Sequence, residues 1–241
     1  MGDLDILRNL LYCAKMQLIS TELINFYRSL RVGCELPEGV KLLYPQATEE
    51  GMRVVSTFLK QYYADQHPRQ LIFGINPGRF GAGTTGINFT GPKQLTEVLG
   101  IDHPFGKKSE LSAEFIYEVI ELYGGPKKFY GDFFLSSISP LGFVKNGKNL
   151  NYYDDKQLME SLEPFIIKSI AQQLRIFRPA QICICVGGEK NFKYLVALNQ
   201  KHQFFKEIIP LPHPRFIMQY RRKQKEQYRL EYLSALAQLR K

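Results

Sequence analysis

The chain has 241 residues, 44% of them hydrophobic and 13% aromatic, enough apolar material for one substantial core. Its net charge of +9 biases the surface toward polyanions, with nucleic acid ahead of an anionic membrane. No stretch is long and apolar enough to cross a bilayer, Asp3, Asp5, Arg8 and Lys15 interrupt what would be a signal peptide, and Cys13, Cys34, Cys183 and Cys185 show no C-x-x-C spacing, which argues for a reducing compartment and no metal cluster.

In chain order, Leu7, Leu10, Leu11, Ala14, Leu18, Leu23, Ile24 and Tyr27 recur mostly at three- and four-residue steps and predict an amphipathic helical start up to about Leu30. Cys34 to Gln46, punctuated by Pro37, Gly39 and Pro45, reads as a loop, and Glu49 to Tyr63 again has helical spacing. Gln70 to Ile75 is a short apolar run that stops at Asn76-Pro77-Gly78, the pattern of a buried strand feeding a loop. Asp132 to Ser137, Gln181 to Val186 and Glu207 to Leu211 repeat that pattern, and the stretches Ser112 to Tyr123, Lys156 to Phe177 and Lys190 to Leu198 between them read as helices.

Strands alternating with helices predict an α/β fold, a three-layer α/β/α arrangement around a central, mostly parallel four-stranded sheet. No repeat or linker divides the chain, so residues 1–241 are read as one domain, with helices within 1–65 packing on its core. Ligands in such sheets gather beyond the carboxyl ends of the strands, so the loops after Ile75, Ser137, Val186 and Leu211 are expected to converge on one site.

The first of those loops runs from Gly74 to Phe89 and holds five glycines, which let backbone approach a ligand closely. It matches neither the P-loop nor the dinucleotide-binding pattern, and reads as a glycine-rich connection or a phosphate-binding loop. After the last strand comes Pro212-His213-Pro214-Arg215-Phe216, where prolines on both sides hold a histidine at the strand's mouth. His67-Pro68 and His103-Pro104 also occur, so His-Pro alone carries little weight. From Arg215 to Lys241 eight Lys and Arg face only Glu226 and Glu231, a basic run that is either a solvated helix face or a nucleic-acid contact.

A G-x-N-P-G loop after the first core strand, Ser139-Pro140-Leu141 after another and His213-Pro214-Arg215 after the last together resemble the uracil-DNA glycosylase superfamily. The likeness runs from about Leu71 to Gln224 and is greatest to the single-strand-selective monofunctional subfamily and its bacterial relatives. It implies a cofactor-free, metal-free enzyme that flips a damaged base out of DNA and hydrolyses its N-glycosidic bond, acting as a monomer in a bacterial cytoplasm and on the nucleoid.

By motif position, the resemblance makes Asn76 the residue that positions the hydrolytic water, Phe89 the ring on which the extruded base stacks and His213 the donor to the departing base. Gly74, Ile75, Gly78 and Phe80 would line the base, with Gly78 standing where a bulkier residue in classical family members rejects 5-substituted pyrimidines. Ser137 occupies the place of the asparagine that reads uracil. A hydroxyl there is shorter and can donate or accept, which implies a uracil enzyme with added activity on xanthine or hypoxanthine. Arg215 and Phe216 are placed to wedge into the base stack, with Arg221, Arg222, Lys223 and Lys225 meeting phosphates from the start of a final helix.

The residue chemistry fits that reading on its own terms, because N-glycosidic cleavage develops a cationic sugar and an anionic base. Asn76 cannot take a proton as a carboxylate would, so its role is orientation of water and carbonyl stabilisation of positive charge. No lysine lies in the glycine-rich loop to form a Schiff base, which favours a monofunctional enzyme. Two rivals stand beside it: a catalytically inert nucleic-acid-binding protein of the same fold, and a phosphate-processing α/β enzyme, against which these loops offer no paired carboxylates for magnesium. Phe133-Phe134 and Tyr152-Tyr153 are expected in the core, and Lys145 and Lys148 are weaker phosphate candidates.

Overall fold

The computed structural model describes residues 17–177 and 181–240. The chain enters through α1 (Ile19–Ser29), β1 (Val40–Leu43) and α2 (Glu49–Tyr62). Thr48 starts α2 by accepting the Gly51 N–H at 3.0 Å, and Glu49 and Glu50 complement the helix dipole in its first turn. β2 (Gln70–Gly74) leads into the glycine-rich loop, which contains the short helix α3 (Ala82–Thr85) and is followed by α4 (Pro92–Glu97). α5 (Leu111–Tyr123) and α6 (Pro126–Asp132) precede β3 (Phe133–Ser137), followed by β4 (Gly142–Lys145) and β5 (Lys148–Leu150). α7 (Lys156–Phe177), β6 (Ile182–Val186), α8 (Glu189–His202), β7 (Glu207–Leu211), α9 (Pro214–Tyr220) and α10 (Lys225–Gln238) complete the chain.

β3, β2, β6 and β7 form, in that order, a four-stranded sheet whose pairs are all parallel. This is the predicted α/β architecture, with helices over the sheet. Leu71, Ile72 and Phe73 of β2 and Cys183, Ile184 and Cys185 of β6 are buried on both faces, which is why these strands read as unbroken apolar runs. Burial raises the Cys183 thiol and pushes Cys185 up to about 12, so both are inert packing groups. β7 is an edge strand, where Pro210 is tolerated.

Two expectations are corrected. The segment read as a loop from Cys34 to Gln46 contains β1, which pairs antiparallel with β4, and β4 pairs with β5, so a second, three-stranded sheet stands beside the first. Arg221, Arg222 and Lys223 are not on the start of the final helix: α9 ends at Tyr220, Arg222–Gln224 forms a 3-10 turn, and α10 begins only at Lys225. Of the amphipathic start predicted from Leu7 to Leu30, α1 accounts for Ile19–Ser29, and the earlier part lies outside the described residues.

Candidate active site

The predicted convergence occurs. A cleft of about 440 Å³ opens at the carboxyl ends of the parallel strands, and Ile75, Asn76, Gly78, Phe80, Phe89, Ser137, His213, Arg215 and Phe216 line it. Parallel pairing brings Gly74 opposite Ser137, so the ends of β2 and β3 deliver their loops side by side. The Ile138 and Ser139 N–H groups then donate to the Gly74 and Ile75 carbonyls at 2.9 and 3.1 Å, locking the two loops together.

Gly74 is required by packing. A Cβ there would lie 2.9 Å from two ring carbons of Phe89, so the strand end must be bare for that ring to sit over it. Phe89 itself has φ 52, a left-handed conformation uncommon for a bulky residue. Its ring lies beside the His213 imidazole, with centroids 6.0 Å apart and planes tilted by 48°, so the two rings meet at one corner of the cleft.

His213 caps α9: its Nδ1 accepts the Arg215 N–H at 3.1 Å. Burial, reinforced by the Arg215 charge, pushes its pKa down to about 4, so it is neutral at pH 7. With Nδ1 occupied as an acceptor, the neutral ring carries its proton on Nε2. His103, by contrast, holds Thr96 and the Pro92 carbonyl and Phe105 N–H, away from the cleft.

Asn76 is held from the second sheet. Its Oδ1 accepts the Tyr152 N–H at 3.0 Å and its Nδ2 donates to the Leu150 carbonyl at 3.2 Å. One Oδ1 lone pair therefore remains for a ligand. Tyr152 is buried and donates its hydroxyl to Asn191 Oδ1 at 2.8 Å. Asn149, just before, accepts the Arg79 N–H at 3.0 Å. The space opposite Gly78 is bounded by Asn149 as well, whose Nδ2 would lie 3.2 Å from a Cβ at that position; the absent side chain leaves less extra room than the resemblance implied.

Ser137 is buried and donates to Asn88 Oδ1 at 2.6 Å, while Asn88 Nδ2 reaches the Leu135 carbonyl at 3.4 Å. Asn88, also in the cleft lining, was not singled out in the sequence, because the asparagine before Phe89 looks like any loop residue. Other lining residues missed there are Asn149, Asn151, Gln219 and Tyr220. Glu110 lines the cleft too, but its carboxylate caps α5 by accepting the Ala113 N–H at 3.0 Å. No lysine is among the described lining residues. Phe133, Phe134 and Tyr152 are core, as expected, whereas Tyr153 reaches the cleft.

At the rim, Phe216 is 41% and Tyr220 68% exposed, their rings 5.9 Å apart, with the Arg221 guanidinium over Phe216. Arg215, Arg221, Arg222 and Lys223 are exposed and make no ion pair among the described residues. Lys225 is a correction: with Arg229 it grips Glu118, at 2.7 and 3.0 Å, so its charge serves packing of α10 on α5. Arg240 approaches Asp132, and Lys145 approaches Asp155 at 3.7 Å. Among the described residues no helix is long and apolar enough to cross a membrane.

An aromatic ring at Phe89, the imidazole of His213 beside it, the anchored amide of Asn76 and a cationic rim at one cleft are the features expected of an enzyme that releases bases from DNA. The sequence model of the Uracil DNA glycosylase superfamily matches residues 61–237, and the chain belongs to that superfamily. It is similar to Pedobacter heparinus SMUG2, whose crystal structure superposes with a TM-score of 0.89 at 42% identity over 93% of this chain and 99% of that one. No curated protein sequence matches the chain. The protein is a DNA glycosylase, a hydrolase of N-glycosyl bonds, and its substrate is DNA.

Proposed function

We propose that this glycosylase is monofunctional, releasing uracil and also a deaminated purine, xanthine or hypoxanthine, from bacterial cytoplasmic DNA, with Asn76 and His213 as its catalytic residues. The observation that carries the reading is the placement of His213 in the cleft lining with its Nδ1 already accepting the Arg215 N–H. Its Nδ1 is spent on Arg215 and burial holds its pKa down to about 4, so the neutral ring keeps Nε2–H as the donor for a base in the cleft.

As the bond between the sugar C1′ and the base nitrogen breaks, its electron pair leaves with the base. The negative charge that develops on a base carbonyl meets the Nε2–H donor, worth on the order of a few kcal/mol in a water-poor pocket. The sugar becomes oxocarbenium-like, and water held on the free lone pair of Asn76 Oδ1 adds to C1′. The water's proton passes to the departing base or to solvent, which completes hydrolysis without a covalent enzyme intermediate.

Extrusion of the base costs a few kcal/mol, least at mismatches and in single strands. Phe216 and Arg215 at the rim fill the gap in this reading, with Tyr220 extending the apolar surface, and Arg221, Arg222 and Lys223 contact phosphates.

The test is a set of end-labelled oligonucleotides bearing one uracil, xanthine or hypoxanthine, incubated with the protein in EDTA and then treated with alkali. Strand breaks that require alkali are expected for uracil and at least one deaminated purine. Breaks without alkali would contradict the monofunctional mechanism, and no release of any of the three would contradict the substrates.

A further inference from the structure

Ser137 stands where the family resemblance expects a carboxamide, yet the cleft still contains one: Asn88, supplied from the other loop. Both side chains are buried, both line the cleft and they are joined at 2.6 Å, with Ser137 Oγ donating to Asn88 Oδ1. A hydroxyl has one proton. Spent on Asn88, it leaves Ser137 Oγ as an acceptor only.

Asn88 Nδ2 has two protons and directs one at the Leu135 carbonyl. The other is available to a ligand. The Leu135 carbonyl fixes which way the amide faces, because a flipped Asn88 would set Oδ1 against that oxygen. The pair therefore offers an acceptor and a donor side by side, the pattern that a single carboxamide would offer.

We infer that Asn88 and Ser137 together are the base-reading element of this enzyme, a composite acceptor–donor pair that takes an adjacent N–H and C=O on a deaminated base. Uracil presents N3–H with O4, and hypoxanthine and xanthine present N1–H with O6. Cytosine and adenine present the reverse, a bare ring nitrogen beside an amino group, and leave both protein groups facing like partners. The same pair thus separates uracil from cytosine and hypoxanthine from adenine with no residue specific to ring size. Guanine shares the N–H and C=O edge, so the pair does not reject it; stable pairing that resists extrusion protects guanine instead.

This inference rests on the substrate reading above, and the experiment separates the two. Single-turnover release from oligonucleotides carrying uracil, hypoxanthine, cytosine or adenine is measured for the wild type, Asn88→Ala, Ser137→Ala and the double variant. Melting temperature and affinity for DNA with an abasic site are measured alongside. Asn88→Ala is expected to slow uracil and hypoxanthine release by about 100-fold, a loss comparable to that of a single preorganised donor. It is also expected to reduce the uracil-to-cytosine ratio, since the freed Ser137 hydroxyl can then donate, while abasic-DNA affinity stays within about twofold. The double variant should be no more than about threefold slower than the slower single, because the two groups act as a unit.

Asn88→Asp supplies a readout that a purely structural role would not move. Its ionised carboxylate accepts but does not donate, so uracil release should rise as pH falls and the carboxyl gains a proton, where the wild type is flat. Wild-type rates in Asn88→Ala, or an unchanged uracil-to-cytosine ratio in both single variants, would overturn the reader while leaving the substrates intact. Should Asn88→Ala melt early, a pH-independent Asn88→Asp together with an unchanged ratio in Ser137→Ala would overturn it equally. A wild type that releases neither uracil nor hypoxanthine would overturn the substrate reading, and this inference with it.

Discussion

The two sheets of this molecule divide the work. The parallel sheet β3-β2-β6-β7 ends in the loops that display the proposed chemical groups, Asn76, Ser137 and His213. The antiparallel sheet β1-β4-β5 displays none of them, yet β5 and the residues just after it hold Asn76 through the Leu150 carbonyl and the Tyr152 N–H and hold Arg79 through Asn149. One sheet supplies the proposed reacting groups and the other anchors one of them, Asn76. An amide set by hydrogen bonds from a different sheet cannot turn without breaking them, which is the physical content of preorganisation.

That division can be broken from either side. The largest loss is expected from the parallel sheet: His213→Ala removes the donor to the leaving base and should lower single-turnover base release by about 10²–10³-fold with DNA affinity kept. The pH profile sharpens the same point. A histidine that titrates near 4 is neutral across pH 5–8, so release should show no histidine break near 6.5, whereas an ordinary imidazole would give one. The linked effect on folding has a fixed sign. The unfolded chain takes up a proton near pH 6.5 that the folded ring refuses until about 4, so this residue erodes stability as pH falls through that window, which denaturant melts at pH 7 and pH 5 would register.

Changes on the antiparallel side should be smaller. Asn149→Ala removes the acceptor of the Arg79 N–H and loosens the glycine-rich loop, and about a tenfold drop in kcat/KM is expected without loss of folding. Tyr152→Phe strips the buried hydroxyl from Asn191 Oδ1 and should cost about 1–3 kcal/mol in stability, read as a lower melting temperature, with the Asn76 contact to the backbone retained and release changed least. If Asn149→Ala matched His213→Ala in severity, the separation of chemistry from orientation would not hold.

The same division separates what the sequence made legible from what it hid. β2, β3 and β6 are buried on both faces, and β7, half-exposed at the sheet's edge, still carries Ile208, Ile209 and Leu211, so each is a short apolar run bounded by turn residues, and their loops were readable as the site. β1 and β5 carry Lys41, Lys148 and Asn149 on short segments with little burial, and nothing in their periodicity distinguishes them from loop. The Asn88–Ser137 bond joins positions 49 residues apart and the Lys225–Glu118 bond positions 107 apart, and charge alone made Lys225 look like a phosphate ligand. Arg221 to Gln224 interrupts the C-terminal helices by backbone geometry, without a proline or glycine to announce it.

The most direct test concerns Asn76. Wild type and Asn76→Ala are compared under single-turnover conditions in EDTA on a uracil-containing oligonucleotide, with the freed base quantified by mass spectrometry and DNA affinity measured in parallel. Release of free uracil by the wild type, at least about 100-fold slower in Asn76→Ala at equal affinity, is the expected result. Equal release by both proteins would contradict a water-orienting Asn76, and bound DNA with no free base from either would contradict uracil as a substrate.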